Sequence, residues 1–85
     1  MLPMSREEVF EKVQEIFRDV FDDETLTISD QTNSDEIDDW DSLEHISLIV
    51  SMEKEFSMKF DIKEVNLLEN VGEMIDLIIR KMNEA

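Results

Sequence analysis

Val9, Val13, Ile16 and Val20 recur at the three- and four-residue steps of a helix, and Phe10 and Phe17 widen the stripe they form. Just ahead of them, Ser5-Arg-Glu-Glu8 is a capping box. The Ser5 side chain can bond a free first-turn N–H while Glu8, at the third helical position, reaches back to the cap. The spacing therefore predicts a first helix from Arg6 to about Val20 with its apolar face in the core. From Phe21 to Trp40 the period is lost, and Thr, Ser, Asn and Asp dominate. These side chains compete for backbone hydrogen bonds and disfavour regular structure. A connection of this length in so short a chain points to a functional segment. Leu26, Ile28, Ile37 and Trp40 are its expected anchors to the core, with room for a short helical turn near Asp35–Asp38.

Three more capping boxes follow. Asp41-Ser-Leu-Glu44 opens a second helix from Ser42 to about Phe56, and Asp61-Ile-Lys-Glu64 opens a short one reaching about Leu68. Asn70-Val-Gly-Glu73 leads into a last helix to about Met82, with Val71, Met74, Ile75, Ile78 and Met82 facing inward. The expected fold is all-α: a small four-helix bundle of three longer helices and one short helix, with a long loop between helices one and two. No internal repeat or linker divides the chain, so residues 1–85 are expected to form a single domain.

The second helix departs from an ordinary surface helix. At roughly 100° per residue, Glu44, Ser47, Ser51, Lys54 and Glu55 share a polar arc. Leu48, Ile49, Met52 and Phe56 form a core stripe, and Leu43, Ile46 and Val50 form a second stripe on the other side of Ser42. Together the apolar positions span roughly 200°, about twice the stripe of a typical amphipathic helix. Two readings follow: either the long loop folds back over the second stripe, or the stripe is a docking surface with Glu44 and Glu53 as its charged rim. Ser42, in the first helical turn, is expected to be exposed. Free N–H groups and the helix dipole there suit a phosphodiester.

Composition sharpens this picture. The chain has 85 residues, 41% of them hydrophobic, which is enough for a modest core. It has no Cys, hence neither disulfides nor thiolate metal sites, and only one Gly and one Pro, which favours helix throughout. No apolar run is long enough to span a bilayer and no signal-peptide pattern opens the chain, so a cytoplasmic protein without membrane insertion is expected. The formal net charge is −15, with no Lys or Arg between Arg18 and Lys54 and twelve acids over Asp19–Glu53. Such a field repels nucleic acid and steers basic protein surfaces inward, or simply keeps the chain solvated.

The segment Trp40-Asp-Ser-Leu-Glu-His-Ile-Ser-Leu-Ile-Val-Ser-Met-Glu-Lys-Glu-Phe56 resembles the phosphopantetheine attachment segment of acyl carrier proteins, and Asn70-Val-Gly-Glu-Met-Ile-Asp-Leu-Ile78 resembles the start of their last helix. The resemblance runs from about Phe10 to Ile79. It implies that Ser42 carries a 4′-phosphopantetheine arm taken from coenzyme A, with acyl groups held on it as thioesters, and that the chain itself is not an enzyme. Asp41 would help position Mg²⁺ in the transferase complex, while the carrier has no metal of its own. Leu43, Ile46 and Val50 match partner- and cargo-facing positions, and Glu44 and Glu53 match acids that meet basic patches. The implied partners are a phosphopantetheinyl transferase and acyl-loading and acyl-processing enzymes, met by a monomer. Ser47 stands where fatty-acid carriers usually have an acid, and Trp40 before Asp41 is similar to carriers of specialised pathways: polyketide, lipid-modification or surface-polysaccharide synthesis.

Other readings remain open on the residues alone. An aminoacyl or peptidyl carrier would share the motif, although such carriers are typically less acidic. An adaptor of the same fold would leave Ser42 unmodified. A hydrolase would pair Ser42 with His45, three residues on, but no oxyanion hole is apparent. A Ca²⁺-binding loop counted from Asp30 places Asp35 at position six and Asp41 at twelve, where Gly and Glu are required.

Overall fold

A computed structural model of the chain describes residues 4–84. Four helices follow one another: α1 (Arg6–Val20), α2 (Ser42–Phe56), α3 (Ile62–Asn66) and α4 (Val71–Glu84). The all-helical bundle with one short helix and a long first connection is the fold expected from the sequence. α1 and α2 have the expected bounds, α3 stops two residues earlier than Leu68, and α4 runs two residues beyond Met82.

The ends of these helices are chemically specified. At α1 the Ser5 Oγ accepts from the Glu8 N–H at 3.1 Å and the Glu8 carboxylate accepts from the Ser5 N–H at 2.9 Å, closing the box. The Ser5 backbone bond, and next its hydroxyl, hold the Glu8 carboxyl below its ordinary range. The box of α3 also forms, with the Glu64 carboxylate accepting from the Asp61 N–H at 3.0 Å, whereas those of α2 and α4 are half-formed. Asp41 caps α2 by accepting from the Glu44 N–H at 2.9 Å, but its own N–H donates to the Asp39 carbonyl rather than to Glu44. Asn70 caps α4 through the Glu73 N–H at 2.9 Å, while the Glu73 carboxylate serves the Glu69 N–H instead. α1 and α2 both end in a left-handed residue that is not glycine: Asp22 and Ser57, each at φ 51°. The Asp23 N–H then donates to the Arg18 carbonyl and the Met58 N–H to that of Glu53, so carbonyls of the last turns are satisfied.

α1 is the hub, packed against both α2 and α4. Val9, Val13 and Phe17 from α1, Leu48 and Met52 from α2, and Val71, Met74, Ile75 and Ile78 from α4 are removed from solvent and form one core. Fully burying an aliphatic side chain of this kind contributes about 1.5–3 kcal/mol. α3 buries no residue; it is held by Glu64, which pairs with Arg80 at 2.8 Å and Lys81 at 3.0 Å on α4.

The long connection has no helix but is tied at many points. Ile28 and Trp40 reach the core, with Leu26 and Ile37 half-buried beside them. The Gln14 side chain accepts from the Ile28 N–H at 3.1 Å, and the Arg18 Nε donates to the Leu26 carbonyl at 2.8 Å. Arg6 bridges Asp30 and Asp76, both at 3.0 Å. The first N–H groups of α4 find partners in the same loop: Val71 donates to the Thr32 carbonyl at 2.9 Å and Gly72 to that of Asp30 at 2.8 Å. The helical turn expected near Asp35–Asp38 is instead two tight turns, closed by Glu36 N–H to Asn33 and Trp40 N–H to Ile37.

Candidate functional site: the start of helix two

Asp41 sits in extended backbone (φ −107°, ψ −170°) immediately before α2 and turns its carboxylate onto the Glu44 N–H. This fixes the first turn and leaves Ser42, the first helical residue, exposed. Beyond it the two apolar stripes separate. Leu48, Ile49 and Met52 enter the core, whereas Leu43, Ile46 and Val50 remain 68%, 59% and 42% exposed. The loop therefore does not cover the second stripe. Trp40, at the end of that loop, turns into the core instead, edge-on to Phe17 with ring centres 5.2 Å apart.

A groove of about 720 Å³ lies beside Ser42. Ile46, Ile49 and Val50 of α2 line it, as do Ile62 and Val65 of α3, with Phe60 and Leu68 from the flanking turns. Asp41, Ser42 and His45 contribute to the same wall. The structure thus brings Asp41, Ser42, Ile46 and Val50 together around one cavity. Leu43 and Glu44 lie on the first turn beside it. Glu53 stands apart, with its carboxylate accepting from the Phe60 N–H at 3.0 Å, so it also fastens the turn between α2 and α3.

His45 has a place that its sequence position did not announce. Its Nδ1 accepts the Trp40 indole N–H at 3.1 Å, and its Nε2 lies 3.5 Å from the Val65 carbonyl. Both ring nitrogens thus face Trp40 and α3 rather than the Ser42 hydroxyl, which removes the geometry a Ser–His nucleophile requires. The only signal for this in the sequence was a donor-only indole five residues before an imidazole.

The site is thus a capped serine between an exposed apolar stripe and an open groove, on a helical bundle of strongly acidic sequence. No family model matches the chain. The acyl carrier protein of Petrotoga mobilis is 33% identical over 82 residues, which is 94% of each chain. That of Thermotoga maritima is 30% identical over 80 residues, 92% of this chain and 96% of the relative. The fold superposes on the solution structure of a holo acyl carrier protein from Geobacter metallireducens with a TM-score of 0.83 and 39% identity, covering 89% of this chain and 87% of that one. A crystal structure of the Thermotoga maritima acyl carrier protein gives 0.82 at 26% identity, covering 95% and 94%. The chain belongs to the acyl carrier protein family, and it is a carrier rather than an enzyme.

Proposed function

We propose that residues 1–85 form a single carrier domain whose Ser42 bears a 4′-phosphopantetheine arm, and that the groove beside it receives the acyl cargo. The observation that carries this reading is the placement of Ser42: exposed, in the first turn of a capped helix, and lining the apolar groove. The residues present fit such an arm. The free N–H groups and dipole of the α2 N-terminus suit its phosphodiester, and the groove suits an apolar chain at its end. When attached, the arm supplies a thiol to which an acyl group is joined as a thioester. What the chain itself contributes is presentation. Asp41 holds the first turn and is free on its outer side to help place Mg²⁺ during attachment. Leu43, Ile46 and Val50 offer an apolar patch to a partner, with Glu44 as the acid beside it and Glu53 further along.

The partners are a phosphopantetheinyl transferase and acyl-loading and acyl-processing enzymes with basic patches, docking on a monomer in the cytoplasm. Weak, charge-steered contacts suit a carrier that must leave each enzyme as readily as it arrives. Among carrier pathways we favour a specialised one over bulk fatty-acid synthesis. Ser47 lacks the acid that would extend the rim, and Trp40 is built into the core directly before the attachment motif.

Intact mass after incubation with coenzyme A, Mg²⁺ and a broad-specificity phosphopantetheinyl transferase tests the site. The expected result is the gain of one phosphopantetheine, absent in Ser42→Ala. A folded chain that gains none would make the unmodified adaptor the better reading.

A further inference from the structure

The polar group that this carrier reading leaves without a task is the imidazole of His45. Trp40 is clamped by the core, its ring edge-on to Phe17 and nearly coplanar with that of His45, the ring centres 6.0 Å apart and the planes 20° from parallel. An indole N–H only donates, so the 3.1 Å contact obliges His45 Nδ1 to accept. The ring proton is thereby placed on Nε2, which faces the Val65 carbonyl on α3. At 3.5 Å that contact is at the outer limit of a hydrogen bond. His45 and Val65 both line the groove, so Nε2–H is a donor of fixed direction, loosely held, in a largely apolar cavity.

A saturated chain lodged between α2 and α3 would part Nε2–H from the Val65 carbonyl and offer nothing in return, and an orphaned buried donor is costly. A chain bearing an oxygen at that point would accept the N–H. Of the other polar side chains of the groove, Asp41 and Glu69 only accept when ionised, the Trp40 N–H is committed to His45 and the Ser42 hydroxyl to the arm, and Ser34 and Asn66 can donate but are exposed to solvent that competes for them. His45 lies one helical turn from Ser42 in the wall of the groove, and because the arm is much longer than one turn, the cargo meets this donor when the arm folds back into the groove.

We propose that His45 is a specificity-determining residue for the cargo, donating from Nε2 to an oxygen near the attached end of the acyl chain, so that 3-oxoacyl or 3-hydroxyacyl groups seat in the groove in preference to a saturated chain of equal length. The proposal rests on the assignment of Ser42 and the groove given above.

The test loads the chain with hydrolysis-stable amide analogues of octanoyl- and 3-oxooctanoyl-phosphopantetheine, and checks loading by intact mass. It then records melting midpoints and the imidazole ¹⁵N resonances of His45. The 3-oxooctanoyl form should melt higher than the octanoyl form by about 4–8 °C, the counterpart of a roughly fivefold preference in a domain of this size. Its Nε2 resonance should shift on loading. In His45→Phe the advantage should vanish while both cargoes still load; His45→Gln, which keeps a donor, should recover part of it. Equal midpoints in the native chain, or an advantage unchanged in His45→Phe, overturn the proposal. Should His45→Phe not fold, an Nε2 resonance that is the same with both cargoes overturns it. Failure of Ser42 to accept either arm shows in the mass before any midpoint is read; it overturns the carrier-site assignment and this inference with it.

Discussion

Gly72 and Ser57 illustrate opposite uses of the backbone. Gly72 is in the first turn of α4, where alanine ordinarily gains about 0.5–1 kcal/mol over glycine. Here a Cβ would stand 3.0 Å from the Asp30 carbonyl oxygen and 3.2 Å from the Asp30 Cβ, and that carbonyl is already fixed by the Gly72 N–H at 2.8 Å. Gly72→Ala is therefore expected to destabilise the fold by about 1 kcal/mol despite the better helix former. Chemical denaturation checks the sign, and a midpoint equal to or above the native one would mean that the loop yields freely. Ser57 does the reverse, holding a left-handed conformation without glycine to end α2. Neither role can be read from the sequence. One depends on a carbonyl more than forty residues away, and the other lacks the glycine that signals such an ending. The Trp40–His45 bond belongs with them, because it requires the loop to turn Trp40 inward before the two rings can meet.

The helices were legible because their signals are local. Caps at Ser5, Asp41 and Asn70, followed by stripes of Val, Ile and Met, fixed where α1, α2 and α4 begin. The excess of apolar positions on α2 was legible too, though not which of two coverings it would receive; that turned on the loop's ties to Gln14, Arg18 and Arg6, which no pattern foretells. α3 is the helix most dependent on charge. The Asp61 N–H, foremost, and then the Lys81 bond lower the Glu64 carboxyl below its ordinary range. A carboxyl that is lowered in the fold contributes stability above its unfolded value, and that contribution is lost as pH falls through the folded one. Acidification below the ordinary glutamate range should thus loosen α3 before α1, α2 and α4, which have buried faces to hold them. Amide exchange protection across the four helices measures this. Glu64→Gln should show weak α3 protection already at neutral pH and little further change on acidification. Uniform loss across all four helices would refute the account.

Taken together, 23 acids against eight Lys and Arg make self-repulsion a property of the chain as a whole. The ion pairs that offset it, such as Lys12 with Glu55 at 3.3 Å, lie near the surface, where each contributes about 0–1 kcal/mol and is itself screened by salt. The net charge is expected to dominate, so the melting midpoint should rise from low to moderate ionic strength, and further with Mg²⁺. A flat midpoint across that range would show that the pairs and the repulsion cancel. No helix among the described residues is long and apolar enough to cross a membrane, and the exposed hydrophobic area is concentrated on α2 and around α3.

The position of Trp40 has one more consequence. The chain contains one tryptophan and no tyrosine, so its near-ultraviolet emission comes from a single indole, buried beside α2 and bonded to the imidazole in the wall of the groove. On the reading proposed above, that is the place where occupancy changes, so the chain carries an optical label there. On that reading, loading and unloading, like the loosening of α3, are expected to register in the colour and lifetime of the unmodified chain, in real time and without a reporter attached to the cargo.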